Sequence, residues 1–181
     1  MRLLPLIVLG LLAAQLSACS LFIPRAKATV EPISLQKQLD SNHSVYTLTF
    51  AADVDVLDAF RGKTSQLGTR IECSITEDEN LAYDHRMTYS LIGEIERDDR
   101  PPRDGLFTSK LSFQKKDQYR DLSDAAALDM LARKPVLPCT MKASGFFVGY
   151  YYSKPFTLQA SDLIRLIKGP VPSQRLFLKH Y

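Results

Sequence analysis

The 181-residue chain contains no tryptophan, three cysteines and three histidines. The histidines, His43, His85 and His180, lie far apart and in no recognised catalytic or zinc motif. G-x-S-x-G, H-E-x-x-H and P-loop patterns are absent, so nothing in the sequence pairs a nucleophile with a base or cradles a phosphate, and the chain reads as non-enzymatic with no cofactor. Charge of one sign is also lacking: 23 basic residues face 20 acidic ones, a net charge of +3. No basic stripe interleaved with aromatics occurs, which argues against nucleic acid as a partner. Only one long apolar run is present, at residues 3–12, and no second run is long enough to cross a bilayer as a helix.

That run sits in MRLLPLIVLGLLAAQLSACSLF. Arg2 supplies a positive start, residues 3–12 an uncharged leucine-rich core, and residues 13–18 small side chains suited to a signal peptidase. The order is that of an export signal rather than a membrane-spanning helix. Leu16-Ser17-Ala18-Cys19 resembles the lipobox of bacterial lipoproteins. The resemblance implies cleavage after Ala18 and acylation of the thiol and new amino group of Cys19. A single acyl chain anchors only marginally, whereas several hold a protein on a bilayer. The residue after the cysteine is Ser20 and not aspartate, which in this class implies the outer membrane, facing the periplasm. Residues 1–18 are therefore expected to be removed, residues 19–28 to form a lipidated tether, and residues 29–181 to form one domain.

With Cys19 assigned to lipid, Cys73 and Cys139 remain, and two thiols in an oxidising compartment read as one disulfide. They are not a C-x-x-C pair, and no histidine is near them in sequence, so metal or redox chemistry is the weaker reading. Cys73 falls on the apolar side of its segment, where a bridge between two sheets is expected.

Period-two alternation recurs along the chain. Tyr46, Leu48 and Phe50 alternate with Thr47 and Thr49; Ile71, Cys73 and Ile75 with Arg70, Glu72 and Ser74. Met87, Tyr89, Leu91 and Ile95 oppose Thr88, Ser90, Glu94 and Glu96, while Phe107, Leu111 and Phe113 oppose Thr108, Lys110 and Ser112. Such alternation predicts antiparallel strands with one dry and one wet face. Residues 29–35, with Pro32, read as an edge strand. Residues 136–143, 146–152 and 173–181 supply further strands, and Gly145 and Gly149 mark a bend or bulge.

Helical signals are few. Asp53 or Asp55 caps one or two turns ending at Gly62. Residues 123–134 read as a helix capped by Ser123, with Ala125, Leu128, Leu131 and Ala132 as its apolar stripe and Pro135 beyond its end. A second short helix spans 161–168, stopped by Gly169-Pro170. The fold expected is mainly β: an antiparallel sandwich, Ig-like or related, with one or two short helical insertions; a small β-barrel is the alternative.

The acidic groups Asp53, Asp55, Asp58 and Glu77-Asp78-Glu79 lack an EF-hand pattern, so no metal is assigned. The basic end, with Arg165, Lys168, Arg175 and Lys179, reads as a solvated face. The sharpest anomaly is Phe146-Phe147-Val148-Gly149-Tyr150-Tyr151-Tyr152. Consecutive residues of a strand point to opposite faces, so these rings cannot all enter one core. Phe147, Tyr150, Tyr151 and Tyr152 are accordingly the candidate interface, unless a helix covers the second face. The functional expectation is a lipid-anchored envelope protein that binds another protein as an accessory of a secretion or pilus type machine. A stand-alone ligand-binding or inhibitor lipoprotein is the alternative.

Overall fold

The alternating segments form strands, and their dry faces meet in one core. The computed structural model describes residues 27–40, 43–62, 65–82, 85, 87–97, 105–116, 120–146, 149–169 and 175–177. The expected signal segment, Cys19 and nearly all of the tether lie outside them. The strands are β1 (Val30–Asp40), β2 (His43–Ala52), β3 (Gln66–Ser74), β4 (Tyr89–Arg97), β5 (Leu106–Lys115), β6 (Arg120–Asp121), β7 (Val136–Gly145), β8 (Gly149–Tyr152), β9 (Phe156–Gln159) and β10 (Arg175–Phe177). Two helices, α1 (Asp124–Leu131) and α2 (Ala160–Lys168), are inserted between strands. The fold is mainly β, an antiparallel sandwich with short helical insertions, as the alternation predicts.

The strand path is continuous, in the order β10-β1-β2-β5-β4-β3-β7-β8, with β6 beside β5 and β9 beside β7. The turn from one layer to the other occurs at β5. One edge of β5 pairs β2 over Leu106–Leu111 and β6 over Gln114–Lys115, while its other edge pairs β4. Gly93 of β4 lies where β5 passes closest: a Cβ there would stand 2.1 Å from the Lys110 carbonyl oxygen, so only glycine fits.

Between the layers lie Tyr46, Leu48 and Phe50 of β2, Ile71 of β3, Leu91 of β4, Phe107, Leu111 and Phe113 of β5, and Met141 of β7, all buried. Tyr46 meets Phe113 edge-on at 5.3 Å, and Phe50 stacks with Phe107 at 5.8 Å. Cys73 and Cys139 are bridged, with Cα atoms 4.0 Å apart. They are register partners on the neighbouring strands β3 and β7, so the bridge joins two strands within one layer. The expectation of a bridge between sheets is corrected: the two cysteines are inward-facing on adjacent strands and meet laterally.

β1 is longer than expected and is not an edge strand, because β2 and β10 pair its two sides. Pro32 is accommodated at a register shift between Pro32 and Ser34, outside the stretch that β10 pairs. The apolar stripe of α1 also differs from expectation. Ala127 and Leu131 are buried, whereas Ala125 and Ala132 face solvent. The reason is the docking of its first turn. Ser123 caps the helix by accepting from Ala126 N, and the next residue, Asp124, is held by three donors. Lys37 Nζ lies at 2.8 Å, Ser44 Oγ at 2.9 Å and Tyr46 Oη at 3.0 Å from its carboxylate. Lys37 also donates to the Ile167 carbonyl of α2. Partial burial alone would raise the Asp124 carboxyl, but these bonds outweigh it and hold it below its usual range. Burial first, and the Asp124 carboxylate second, push the Tyr46 hydroxyl well above the tyrosine range.

Lys134, just beyond the end of α1, is buried. It donates to Ser74 Oγ, the Thr76 carbonyl and Glu79 Oε1, fastening the helix end to the loop after β3.

A candidate binding face on the outer side of one layer

Antiparallel order gathers alternate strand ends at one pole of the sandwich. The start of β1, the end of β2, the starts of β3, β5 and β8 and the ends of β4 and β7 lie there. A 3-10 turn, Val56–Asp58, closes this pole. Asp55 caps the turn through Leu57 N and pairs with Arg97, and Asp58 accepts from Gly62 N. Gly62, at φ 66°, supplies the left-handed stop the sequence predicts. Asp53, the other expected cap, instead accepts from Thr29 N at the entrance to β1.

The aromatic run ends up at this pole, divided by strand alternation. Tyr150 pairs Ser144 and Tyr152 pairs Lys142 on the outer face of β7, while Tyr151 pairs Ala143 on the inner face. Tyr150 is 45% exposed and Tyr152 half-buried. Tyr151 is 4% exposed and packs edge-on against Phe60 at 6.5 Å. Tyr151 is therefore core, which corrects its place in the expected interface; Phe147 lies outside the described residues. Phe146, 51% exposed, joins Tyr150 instead, and Leu67 at the start of β3 is 63% exposed. Phe146 N donates to the Ser65 carbonyl, which ties the hairpin to the closing segment.

The outer face of β3, β4, β5 and β7 carries a feature that period two does not announce. Glu72, expected on a wet face, is fully buried, and so is Lys142 of β7. Their Oε2 and Nζ atoms are 2.6 Å apart. Two more cations approach the same carboxylate: Arg70 at 3.9 Å and Lys116 at 3.6 Å. The loop after β3 contributes to the cover, since the Ala82 carbonyl accepts from Lys142. Desolvation draws the Lys142 ammonium below the usual lysine range, with Glu72 acting in the opposite direction.

Beside this ion pair is an open trough of about 500 Å³. Arg70, Ser90, Glu94, Glu96, Lys110 and Lys116 are among its lining residues, and Ile92 is its one large apolar side chain. A smaller recess of about 160 Å³ continues from Arg70 and Glu94 over Lys142 to Ser144 and Leu67. Ser144 is the register partner of Tyr150, so trough, recess and exposed ring share one face. The signal available in the sequence was the density of charge at outward positions of four strands. Which of those charges share a cluster depends on β3 and β7 pairing across a separation of 66 residues.

Among the described residues, one histidine meets a carboxylate. His85 Nε2 is 2.6 Å from Asp78 Oδ2, and Asp78 Oδ1 accepts from Asn80 N. The His85 bond is the main reason the Asp78 carboxyl lies below its usual range. This pair lines neither recess and closes the loop after β3 on itself. His43 begins β2, and His180 lies outside the described residues. Among the described residues no group of three or more His, Cys, Asp or Glu side chains is placed to hold a metal ion. Met87 and Met141 are buried in the interior. No family model, curated protein or solved structure matches the chain.

Proposed function

We propose that this chain is a lipoprotein of the bacterial envelope, anchored through acylated Cys19, whose sandwich binds another protein and performs no chemistry of its own. The observation that carries the reading is the outward placement of Phe146 and Tyr150 at one pole of a rigid, disulfide-bonded layer. Exposed rings offer large contact area at little conformational cost, which is how protein interfaces concentrate their energy. The Cys73–Cys139 bridge supports an oxidising compartment, in line with the export signal and the lipobox. The outer membrane, periplasmic side, is the location the Ser20 position favours. The partner fitting these properties is a component of an envelope machine of the secretion or pilus type.

The test is crosslinking in cells of the intact protein, followed by mass spectrometry, with Phe146→Ala/Tyr150→Ala beside it. Reproducible capture of one or a few envelope proteins, lost in the variant, is the expected result. Capture unchanged by the variant, or none at all, overturns the reading. For the anchor, Cys19→Ala is expected to move the protein to the soluble periplasmic fraction; retention with membranes would overturn it.

A further inference from the structure

We infer that the pole bearing Leu67, Phe146 and Tyr150 rests on the phospholipid surface that holds the Cys19 anchor, with lipid covering these side chains wherever no partner does. This rests on the anchored reading above and goes beyond it: a protein that meets the same rings is embedded in that membrane and reaches them along the bilayer.

The length of chain before the sandwich limits its orientation. Eight residue steps separate Cys19 from Lys27, the first described residue. Whatever their conformation, these steps span at most about 28 Å. The chain enters the sandwich at this pole and is fixed there. Thr29 N donates to Asp53 Oδ1 at 2.7 Å, and the Ala28 carbonyl accepts from Lys154 N at 2.8 Å. From this entrance β1 runs 11 residues to Asp40, about 34 Å, so the far pole cannot lie on the bilayer that holds Cys19.

The exposed apolar side chains then select the pole over the sides of the sandwich. Five large hydrophobic side chains are exposed among the described residues: Leu67, Phe146 and Tyr150 at this pole, and Leu39 and Val136 at the far one. Tyr150 precedes Lys154 by four residues, so it stands within about 13 Å of the residue that clasps the entering chain. Leu67 lies at a register shift of β3 and lines the same recess as Ser144, the register partner of Tyr150. Aromatic rings settle at the boundary between headgroups and acyl chains, where an apolar body and a polar tip each find their medium. Charge at the pole has both signs: Lys27, Arg61 and Lys154 are exposed, and so are Asp53, Asp55 and Asp58. That mixture gives no preference for an anionic membrane, so the surface that fits is a zwitterionic phospholipid one.

The chain has no tryptophan, so a single introduced indole reports on its own position. The purified full chain carrying Phe146→Trp, Tyr150→Trp or Leu39→Trp is placed in phosphatidylcholine nanodiscs, with or without bromine on the acyl chains. Bromine quenches an indole only at contact range. For Phe146→Trp and Tyr150→Trp the emission is expected to fall by about half, since interfacial side chains reach about 5–10 Å into the boundary between headgroups and acyl chains. For Leu39→Trp, at the far pole, no quenching is expected. Two reporters at the near pole keep the test decisive if one substitution disturbs folding, which the dispersion of backbone amide signals checks. No quenching at either, or equal quenching of Leu39→Trp, overturns the inference. A chain whose mass shows no acyl group on Cys19 overturns it together with the anchor. Quenching of Phe146→Trp and Tyr150→Trp with no partner captured in cells upholds the inference and removes the protein-binding reading. Partner capture that is lost in Phe146→Ala/Tyr150→Ala, without quenching in nanodiscs, does the reverse.

Discussion

Lys142 Nζ lies 2.6 Å from Glu72 Oε2, with neither side chain accessible to solvent. Removing two charges from water costs several kcal/mol each, and a mutual attraction offsets this only when the geometry is good. Here the pair sits diagonally across adjacent strands, two residues off direct register, because Lys142 opposes Arg70 and Glu72 opposes Thr140.

Breaking this pair from one side leaves a buried charge uncompensated. Glu72→Met, which leaves the Lys142 ammonium buried without its carboxylate, is expected to lower the unfolding free energy by about 3–5 kcal/mol. Glu72→Met/Lys142→Met is expected to recover most of that loss, since an apolar pair of similar volume removes both desolvation terms. Urea unfolding of the two variants measures the difference, and a double variant no more stable than the single one would contradict it.

The lateral bridge closes a loop of 66 residues and restricts the unfolded chain. Cys73→Ala/Cys139→Ala is expected to cost about 4 kcal/mol under oxidising conditions, according to the chain-entropy model. In reductant, wild type and variant should converge. A gap that persists in reductant would assign the loss to packing of the two side chains rather than to the crosslink.

Gly93→Ala places a Cβ 2.1 Å from the Lys110 carbonyl oxygen, a backbone atom that cannot step aside like a side-chain tip. The expected cost is about 3 kcal/mol, the upper part of the usual range for overpacking. Gly68→Ala, also in a β-strand, meets only Glu94 Oε2 at 3.8 Å and is expected to be tolerated. Thermal melts of both variants test whether the close approach at Gly93 is as tight as the fold requires.

Asp124 links α1 to Lys37 of β1, Ser44 and Tyr46 of β2 and, through Lys37, the Ile167 carbonyl of α2. Its folded pKa is below the ordinary value of 3.8, so the folded state binds this proton less readily than the unfolded chain does. The stability it contributes is complete above the ordinary value and disappears as pH falls through the folded one. Asp124→Asn is therefore expected to destabilise at pH 7 and to lose less than wild type between pH 4 and 2. Parallel acid dependences in the two proteins would show that Asp124 does not couple to folding.

Period two in segments such as 45–52, 69–76 and 106–114 was sufficient for strands, their dry faces and the sandwich, because burial of one face is a local property of a strand. Ser123 before an apolar run was likewise enough for the cap of α1, which is a contact between residues three apart. The pairing of Cys73 with Cys139 followed from counting, but not its geometry, which required knowing that β3 and β7 are neighbours. Tyr151 and Tyr150 are adjacent in the chain and identical in type; only the pleat of β8 against β7 sends one into the core and leaves the other outside.

The sequence by itself determined the fold class and the cysteine count that leaves one bridge, and it placed charges at alternate positions of the strands. Tertiary structure decided which of those charges meet. Glu72 and Lys142 belong to segments that alternation treats as ordinary half-exposed strands, yet both are buried. Strand order and the covering loop bring three cations to one carboxylate there, and electrostatic energy depends on distance and burial in space rather than on position along the chain.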